Sequence, residues 1–112
     1  MARISFVELP VADTAAARAF YETTFGWAMT AFGPSYASTM TGDVDLGLQG
    51  DAREATQAPL VVIDVRDLDA WPARVEAAGG TVVRPIFAFP GGRRFHFTDP
   101  SGHELAVMEA DR

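Results

Sequence analysis

The stretch FVELPVADTAAARAFYETTFGW, residues 6–27, decides the fold because its pattern occurs twice in the chain. It aligns without a gap with LVVIDVRDLDAWPARVEAAGGT, residues 60–81. In each copy apolar residues alternate, an aspartate follows, and a segment with helical spacing ends at a glycine. Alternation is typical of a strand with one buried face, and aspartate is a favoured helix N-cap. Each copy therefore predicts a strand followed by a helix, and the chain contains an internal repeat.

The two predicted helices have their own start and stop signals. The first begins after Asp13 and ends at Gly26, since glycine readily takes the left-handed conformation that closes a helix. The second begins near Asp67 or Asp69. Because Pro72 is tolerated only in a first turn, the sequence favours Asp69 as the cap.

Three short strand-like segments follow each helix, separated by turn residues. They lie near 27–32, 35–41 and 44–49 in the first half, and near 81–87, 93–98 and 104–109 in the second. The polar segment 50–59 is a linker. The predicted fold class is α+β, with two tandem β-α-β-β-β modules, at about 3–50 and 59–110, forming a curved, mostly antiparallel sheet with a concave cup. Residues 1–112 are predicted to be a single domain.

Composition narrows the classes of function. The chain has 112 residues, of which 48% are hydrophobic, enough for one packed core. Its net charge of -6 disfavours nucleic acids and anionic membranes as partners and favours basic or neutral ligands. There is no cysteine, so disulfides and thiolate chemistry are excluded. No signal peptide or membrane-spanning run is recognised, and we expect a cytoplasmic protein.

Two motifs resemble those of a known family. VADTAAARAFYETTFGW (11–27) and GRRFHFTDPSGHELAVME (92–109) are similar to segments of the glyoxalase, bleomycin-resistance and extradiol-dioxygenase superfamily, the vicinal oxygen chelate proteins. The resemblance covers nearly the whole chain and is specific for fold. It leaves activity open, because that fold hosts isomerases, dioxygenases, thiol transferases and metal-free drug binders. It also implies a symmetric homodimer, which many members form.

The resemblance implies where metal ligands would stand. In metal-dependent members they come from the first and last strand of each module. At those four positions this chain has Phe6, Gly47, Leu60 and Ala106. None of these side chains can coordinate a divalent cation. We therefore expect the usual metal site to be absent, with no cofactor.

Strand alternation predicts which side chains face the cup. With Phe95 and Phe97 in the core, Arg94 and His96 turn to the opposite face. A cavity with aromatic, aliphatic and thioether surface and a few polar anchors suits small-molecule recognition. The predicted ligand-binding residues are Phe6, Glu8, Trp27, Tyr36, Gln49, Asp64, Arg94, His96, Glu104 and Met108.

Three hypotheses of function follow. The first is a metal-independent protein that sequesters a small aromatic or cationic drug or metabolite. The alternative is an enzyme, a lyase, isomerase or dioxygenase-like protein. It would use either a metal relocated to Glu8, Asp64, His96 and Glu104, or an acid–base pair of Glu8 and His96. A structural or interaction module is the third class.

Overall fold

The computed structural model describes residues 2–112. In this part of the chain two helices and eight strands follow one another in the predicted order. The elements are β1 (Arg3–Pro10), α1 (Thr14–Phe25), β2 (Met29–Ala31), β3 (Tyr36–Thr39), β4 (Asp45–Gln49), β5 (Leu60–Asp64), α2 (Trp71–Ala77), β6 (Thr81–Phe89), β7 (Gly92–Thr98) and β8 (Glu104–Ala110). The α+β class and the repeated β-α-β-β-β order are confirmed. Neither helix in this part of the chain is long and apolar enough to cross a bilayer.

The chain folds as two compact units. The first module is Phe6–Leu60; the second is Val61–Arg112 together with residues 2–5. Residues 50–59 contain no helix or strand, as expected for a linker.

The first module has the strand order β2-β3-β4-β1. Pairing is antiparallel from β2 to β4 and parallel between β4 and β1. Helix α1 follows β1 and carries both predicted caps. Asp13 accepts a hydrogen bond from the backbone N–H of Ala16 at 3.0 Å, and Gly26 closes the helix with φ 71°. The Thr14 hydroxyl donates to the Ser35 carbonyl at 3.1 Å, which ties the start of α1 to the turn before β3.

The second module has the corresponding order β5-β8-β7-β6, with β5 and β8 parallel and the other pairs antiparallel. Its buried core consists of Val65, Leu68, Phe95 and Val107, and Phe97 packs against it. The core positions predicted for Phe95 and Phe97 are confirmed. Side chains that alternate with them on β7 therefore lie on the opposite face of this module's strands.

The predicted cap of the second helix is wrong. Helix α2 begins at Trp71 without a side-chain cap, although Pro72 lies in its first turn as expected. A short 3-10 turn, Leu68–Ala70, leads into the helix and contains Asp69. The Asp69 carboxylate is instead held by the Arg93 guanidinium, with both N–O distances 3.2 Å. Asp69 therefore lies in a 3-10 turn and pairs with Arg93, and it does not cap α2.

Candidate functional site

A buried histidine lies on the face of the second module opposite its core. His96 is in the middle of β7, opposite Ala106 of β8 and Arg84 of β6. Its exposed fraction is 2%, and that of Arg94, two residues earlier on the same face, is 8%. Charged side chains such as arginine are rarely this buried unless they are paired. We call this surface the His96 face; it comprises Asp64, Arg84, Phe87, Arg94, His96, Glu104 and Met108.

The hydrogen bonding of His96 leaves one ring nitrogen open. Nδ1 lies 2.7 Å from Oε2 of Glu104. A carboxylate only accepts hydrogen bonds, so Nδ1 carries the hydrogen and Nε2 keeps its lone pair. Nε2 is buried and has no hydrogen-bond partner among residues 2–112. A buried acceptor left unsatisfied costs about 1–3 kcal/mol, so Nε2 is a natural place for a ligand donor.

The surroundings of His96 also keep its ring neutral. Burial is the main cause that lowers the pKa of His96 below its ordinary value of 6.5. The hydrogen bond that His96 donates to Glu104 acts in the opposite direction, and the positive charges of Arg94 and Arg84 lower the pKa further. At neutral pH the imidazole is therefore uncharged and presents an acceptor, not a second donor.

An aromatic and cationic wall surrounds the imidazole. The Phe87 ring centroid is 5.7 Å from that of His96. The guanidinium carbon of Arg84 lies 3.6 Å from the Phe87 centroid, and that of Arg94 lies 5.3 Å from the centroids of both Phe87 and Phe89. Such cation–π contacts hold the guanidinium groups in place. The wall offers flat apolar surface together with positive charge.

Two more predicted residues share this face through strand register. Met108 lies opposite Arg94 across β7 and β8, and Asp64 lies opposite Met108 across β5 and β8. Residues directly opposite in a pair of strands point to the same side. The second module thus places Asp64, Arg94, His96, Glu104 and Met108, all predicted from the sequence, on one surface.

The first module forms a separate polar cluster around Glu8. Glu8 is buried, and the Tyr36 hydroxyl donates to its Oε2 at 3.0 Å. Gly47 lies opposite Glu8 in the strand register. A Cβ added at Gly47 would overlap the Tyr36 hydroxyl and the Phe6 ring. Phe6, Glu8 and Tyr36 are therefore in close proximity, as the sequence predicts, and the absence of a side chain at 47 makes this possible.

Trp27 and Gln49 have different surroundings. Trp27 stacks on Tyr21 and Phe25 of α1, with ring centroids 6.0 and 5.0 Å apart. Gln49 lies opposite Tyr36 in the register of β3 and β4, so the two residues share a face. The Gln49 side chain also accepts a hydrogen bond from the backbone N–H of Asp51 at 3.0 Å, at the start of the linker.

The sequence analysis missed an apolar groove of about 570 Å³ in the first module. The sequence indicates this groove only through Met40 and Val44, large apolar residues on either side of the turn before β4, where such residues are unusual. Both are exposed. The groove is lined by Val7, Trp27, Ala28, Thr30, Thr39, Met40, Thr41, Val44, Asp45 and Leu46.

The four family metal positions do not fit a metal ion. Leu60 and Ala106 are fully buried apolar residues. At Gly47 the space for a longer side chain is taken by the Phe6 ring and the Tyr36 hydroxyl. None of these positions supplies a nitrogen, oxygen or sulfur donor from a side chain near the others.

The relocated metal site suggested from the sequence would need residues of both modules. In the second module His96 contacts Glu104, and in the first Glu8 accepts a hydrogen bond from Tyr36. In the described part of the chain, no three histidine, aspartate or glutamate side chains are grouped so that they can hold a metal ion. The carboxylate that contacts the His96 ring is that of Glu104.

The repeated β-α-β-β-β modules are found in a known class of proteins, to which the sequence of this chain also assigns it. Residues 3–107 match the sequence pattern of the Glyoxalase/Bleomycin resistance protein/Dioxygenase superfamily, and the chain belongs to that superfamily.

The curated relatives that match this chain are longer than it. CFP32 of Mycobacterium tuberculosis (strain CDC 1551 / Oshkosh), provisionally named a glyoxylase, is 29% identical over 96% of this chain and 46% of its own length. The anthracycline biosynthesis protein DauV of Streptomyces sp. (strain C5) is 30% identical over 95% of this chain and 41% of its own. The chain thus spans less than half the length of these curated relatives.

Solved structures show the same fold. Methylmalonyl-CoA epimerase from Mycobacterium tuberculosis superposes with a TM-score of 0.76 at 18% identity, over 97% of this chain and 88% of the epimerase. The Mn(II)-bound glyoxalase from Novosphingobium aromaticivorans gives a TM-score of 0.70 at 25% identity, over 100% of this chain and 42% of that one.

Proposed function

We propose that this protein binds a small aromatic molecule on the His96 face without a metal ion. The observation that carries the proposal is the buried Nε2 of His96, an acceptor without a partner among residues 2–112, beside the Phe87 ring and the Arg94 guanidinium. Small-molecule sites combine apolar walls with a few convergent polar groups. The His96 face has both.

The cation–π contacts on this face favour an aromatic ligand over a cationic one. The guanidinium groups of Arg84 and Arg94 already lie over the Phe87 ring, so a ligand cation would have to displace them. The rings of Phe87 and His96 and the thioether of Met108 offer surface to a planar apolar group. The net charge of -6 belongs to the whole chain and does not describe this local field.

Metal independence is supported by the side chains at the four family positions. The glyoxalase from Novosphingobium aromaticivorans is a Mn(II)-bound protein. This chain has Phe6, Gly47, Leu60 and Ala106 where the family's ligands stand, so we propose that it does not share that metal chemistry. The polar groups of His96 and Glu104 serve recognition instead.

Ligand binding can be tested by thermal shift followed by calorimetry in buffer that contains a chelator. A panel of planar aromatic compounds is screened against the wild-type protein, His96→Ala and Phe87→Leu. A ligand at about 100 times its Kd should stabilise the wild type by about 2.7 kcal/mol. We expect both variants to bind more weakly, while His103→Gln, which changes the only other histidine, binds as the wild type does. If no aromatic compound stabilises the wild type, the proposal is wrong.

We also propose that the protein forms a homodimer through the first module. Helix α1 has no buried residue and exposes Phe20 and Phe25, while the segment after it exposes Trp27 and the turn before β4 exposes Met40 and Val44. Contiguous apolar surface of this kind marks an interaction site. A second copy of the chain is the partner proposed, since two-fold dimers are the commonest oligomers.

A further inference from the structure

We propose that the ligand of the His96 face is a phenol or an enol whose hydroxyl group donates a hydrogen bond to Nε2 of His96. This inference rests on the proposed function and names its ligand class. It starts from the pairing of Nδ1 with Glu104 and from the arginines on the same face.

The first step is the direction of the hydrogen bond. Because Nδ1 donates to the Glu104 carboxylate at 2.7 Å and the ring is neutral, Nε2 can only accept. A carbonyl or ether oxygen would meet a lone pair there and gain nothing. The site therefore selects a ligand that carries an O–H or N–H group.

The second step is the charge around the imidazole. The groups that face it are Arg94 on its own strand, Arg84 on β6 and Glu104 on β8. Glu104 is engaged with Nδ1, and the two guanidinium groups lie at the Phe87 ring. Positive charge there stabilises a group that becomes negative as it shares its proton, which an acidic hydroxyl does and an amine does not.

The proton balance of this contact is simple. If the transfer is complete, the ligand O–H bond breaks and the proton forms an N–H bond at Nε2. The resulting imidazolium is held by the Glu104 carboxylate, and the oxyanion lies beside the guanidinium groups. No other reactant is required. The His96–Glu104 pair thus acts as a proton acceptor for the bound hydroxyl.

A ligand can reach Nε2 only if neighbouring side chains move, because His96 is 2% exposed. Arg84 and Phe87 are half-buried and lie in the part of β6 where the register with β7 shifts, on either side of the irregularity between them. We propose that side-chain movement in this irregular part of β6 admits the ligand.

The test compares 4-nitrophenol with 4-nitroanisole, which differ only in that a methyl group replaces the hydroxyl hydrogen. We expect the wild type to bind 4-nitrophenol about tenfold more tightly, the value of one buried hydrogen bond. Absorbance should show a larger phenolate fraction for bound than for free 4-nitrophenol at the same pH. His96→Phe should lose the preference but still bind 4-nitroanisole, and His103→Gln should keep it.

The outcomes separate this inference from the proposed function. Equal affinity of the wild type for both compounds overturns the phenol inference and leaves aromatic binding intact. Failure to bind either compound overturns both. An independent readout is the tautomer of His96, from the imidazole nitrogen NMR signals of a protein with only two histidines. Nδ1 should be protonated in the unliganded protein, and a proton on Nε2 would refute the inference without any ligand.

Discussion

At the scale of single residues, Gly47 shows how one missing side chain shapes the first module. The Phe6 ring and the Tyr36 hydroxyl occupy the volume in which any Cβ at position 47 would lie. The hydroxyl is held there by its hydrogen bond to buried Glu8. The same volume would have to accommodate a family metal-binding glutamate, so the Phe6–Tyr36 contact and that glutamate exclude each other.

Gly47→Ala should destabilise the protein by about 1–3 kcal/mol, the usual cost of overpacking. Urea denaturation followed by far-UV circular dichroism measures the change. The same substitution in a Phe6→Ala background should cost much less, because one of the two overlapping groups is gone. An equal cost in both backgrounds would show that the Phe6 ring does not fill this space.

The buried ring of His96 predicts a specific dependence of stability on pH. Its pKa in the folded protein lies below the ordinary value of 6.5, mainly because of burial. Between these two pKa values the unfolded chain binds more protons than the folded one, so the free energy of unfolding falls as the pH falls through that interval. Above that pH interval the ring is neutral in the folded and the unfolded protein, and the contribution of His96 to the free energy of unfolding no longer changes with pH.

Chemical denaturation at several pH values between about 7.5 and 5 tests this dependence. As the pH is lowered, we expect the wild type to lose more stability than His96→Phe does. His103→Gln, in the turn before β8, should follow the wild-type curve. Parallel curves for wild type and His96→Phe would contradict a neutral, buried His96.

At the scale of elements, the two copies of the repeat start their helices differently. Asp13 caps α1 through the backbone N–H of Ala16. Its counterpart in the repeat, Asp67, makes no capping bond and accepts instead from Nε1 of Trp71 at 2.7 Å. The two aligned aspartates therefore have different partners. Asp13 caps a helix, whereas Asp67 accepts a hydrogen bond from a tryptophan side chain.

Asp13→Ala should lower the free energy of unfolding by about 1 kcal/mol, the typical value of an N-cap, while Asp13→Ser should retain most of the stability. Asp69→Ala is the matched control, since it removes only an exposed ion pair with Arg93 worth about 0–1 kcal/mol. Thermal and urea denaturation give both values. A larger loss of stability for Asp69→Ala than for Asp13→Ala would contradict the capping role of Asp13.

Local patterns predicted the elements well, because their signals lie within the elements themselves. The alternation around Phe95 placed Arg94 and His96 on one face, and Gly26 ended α1 as expected. Long-range contacts were not predictable in this way. The carboxylate partner of His96 depends on the register of β7 with β8, and the Asp69 carboxylate pairs with a residue 24 positions away instead of capping α2.

At the scale of the whole molecule, the exposed apolar side chains of the first module predict self-association. Phe25→Glu should shift the protein towards monomer in sedimentation velocity over a dilution series, because a charge would be buried at the proposed interface. Val83→Glu is the control, since Val83 is also an exposed large apolar residue but lies in the second module. A wild-type protein that stays monomeric at high concentration would contradict the proposed homodimer.

The central claim is that this member of the superfamily recognises its ligand with His96, Phe87 and Arg94 and not with a metal ion. The most direct measurement combines metal analysis of the dialysed protein with calorimetry of an aromatic ligand, with and without chelator. We expect much less than one equivalent of transition metal per chain and the same Kd in both buffers. One equivalent of bound metal that survives dialysis, together with loss of ligand binding when a chelator removes it, would show that recognition requires a metal ion.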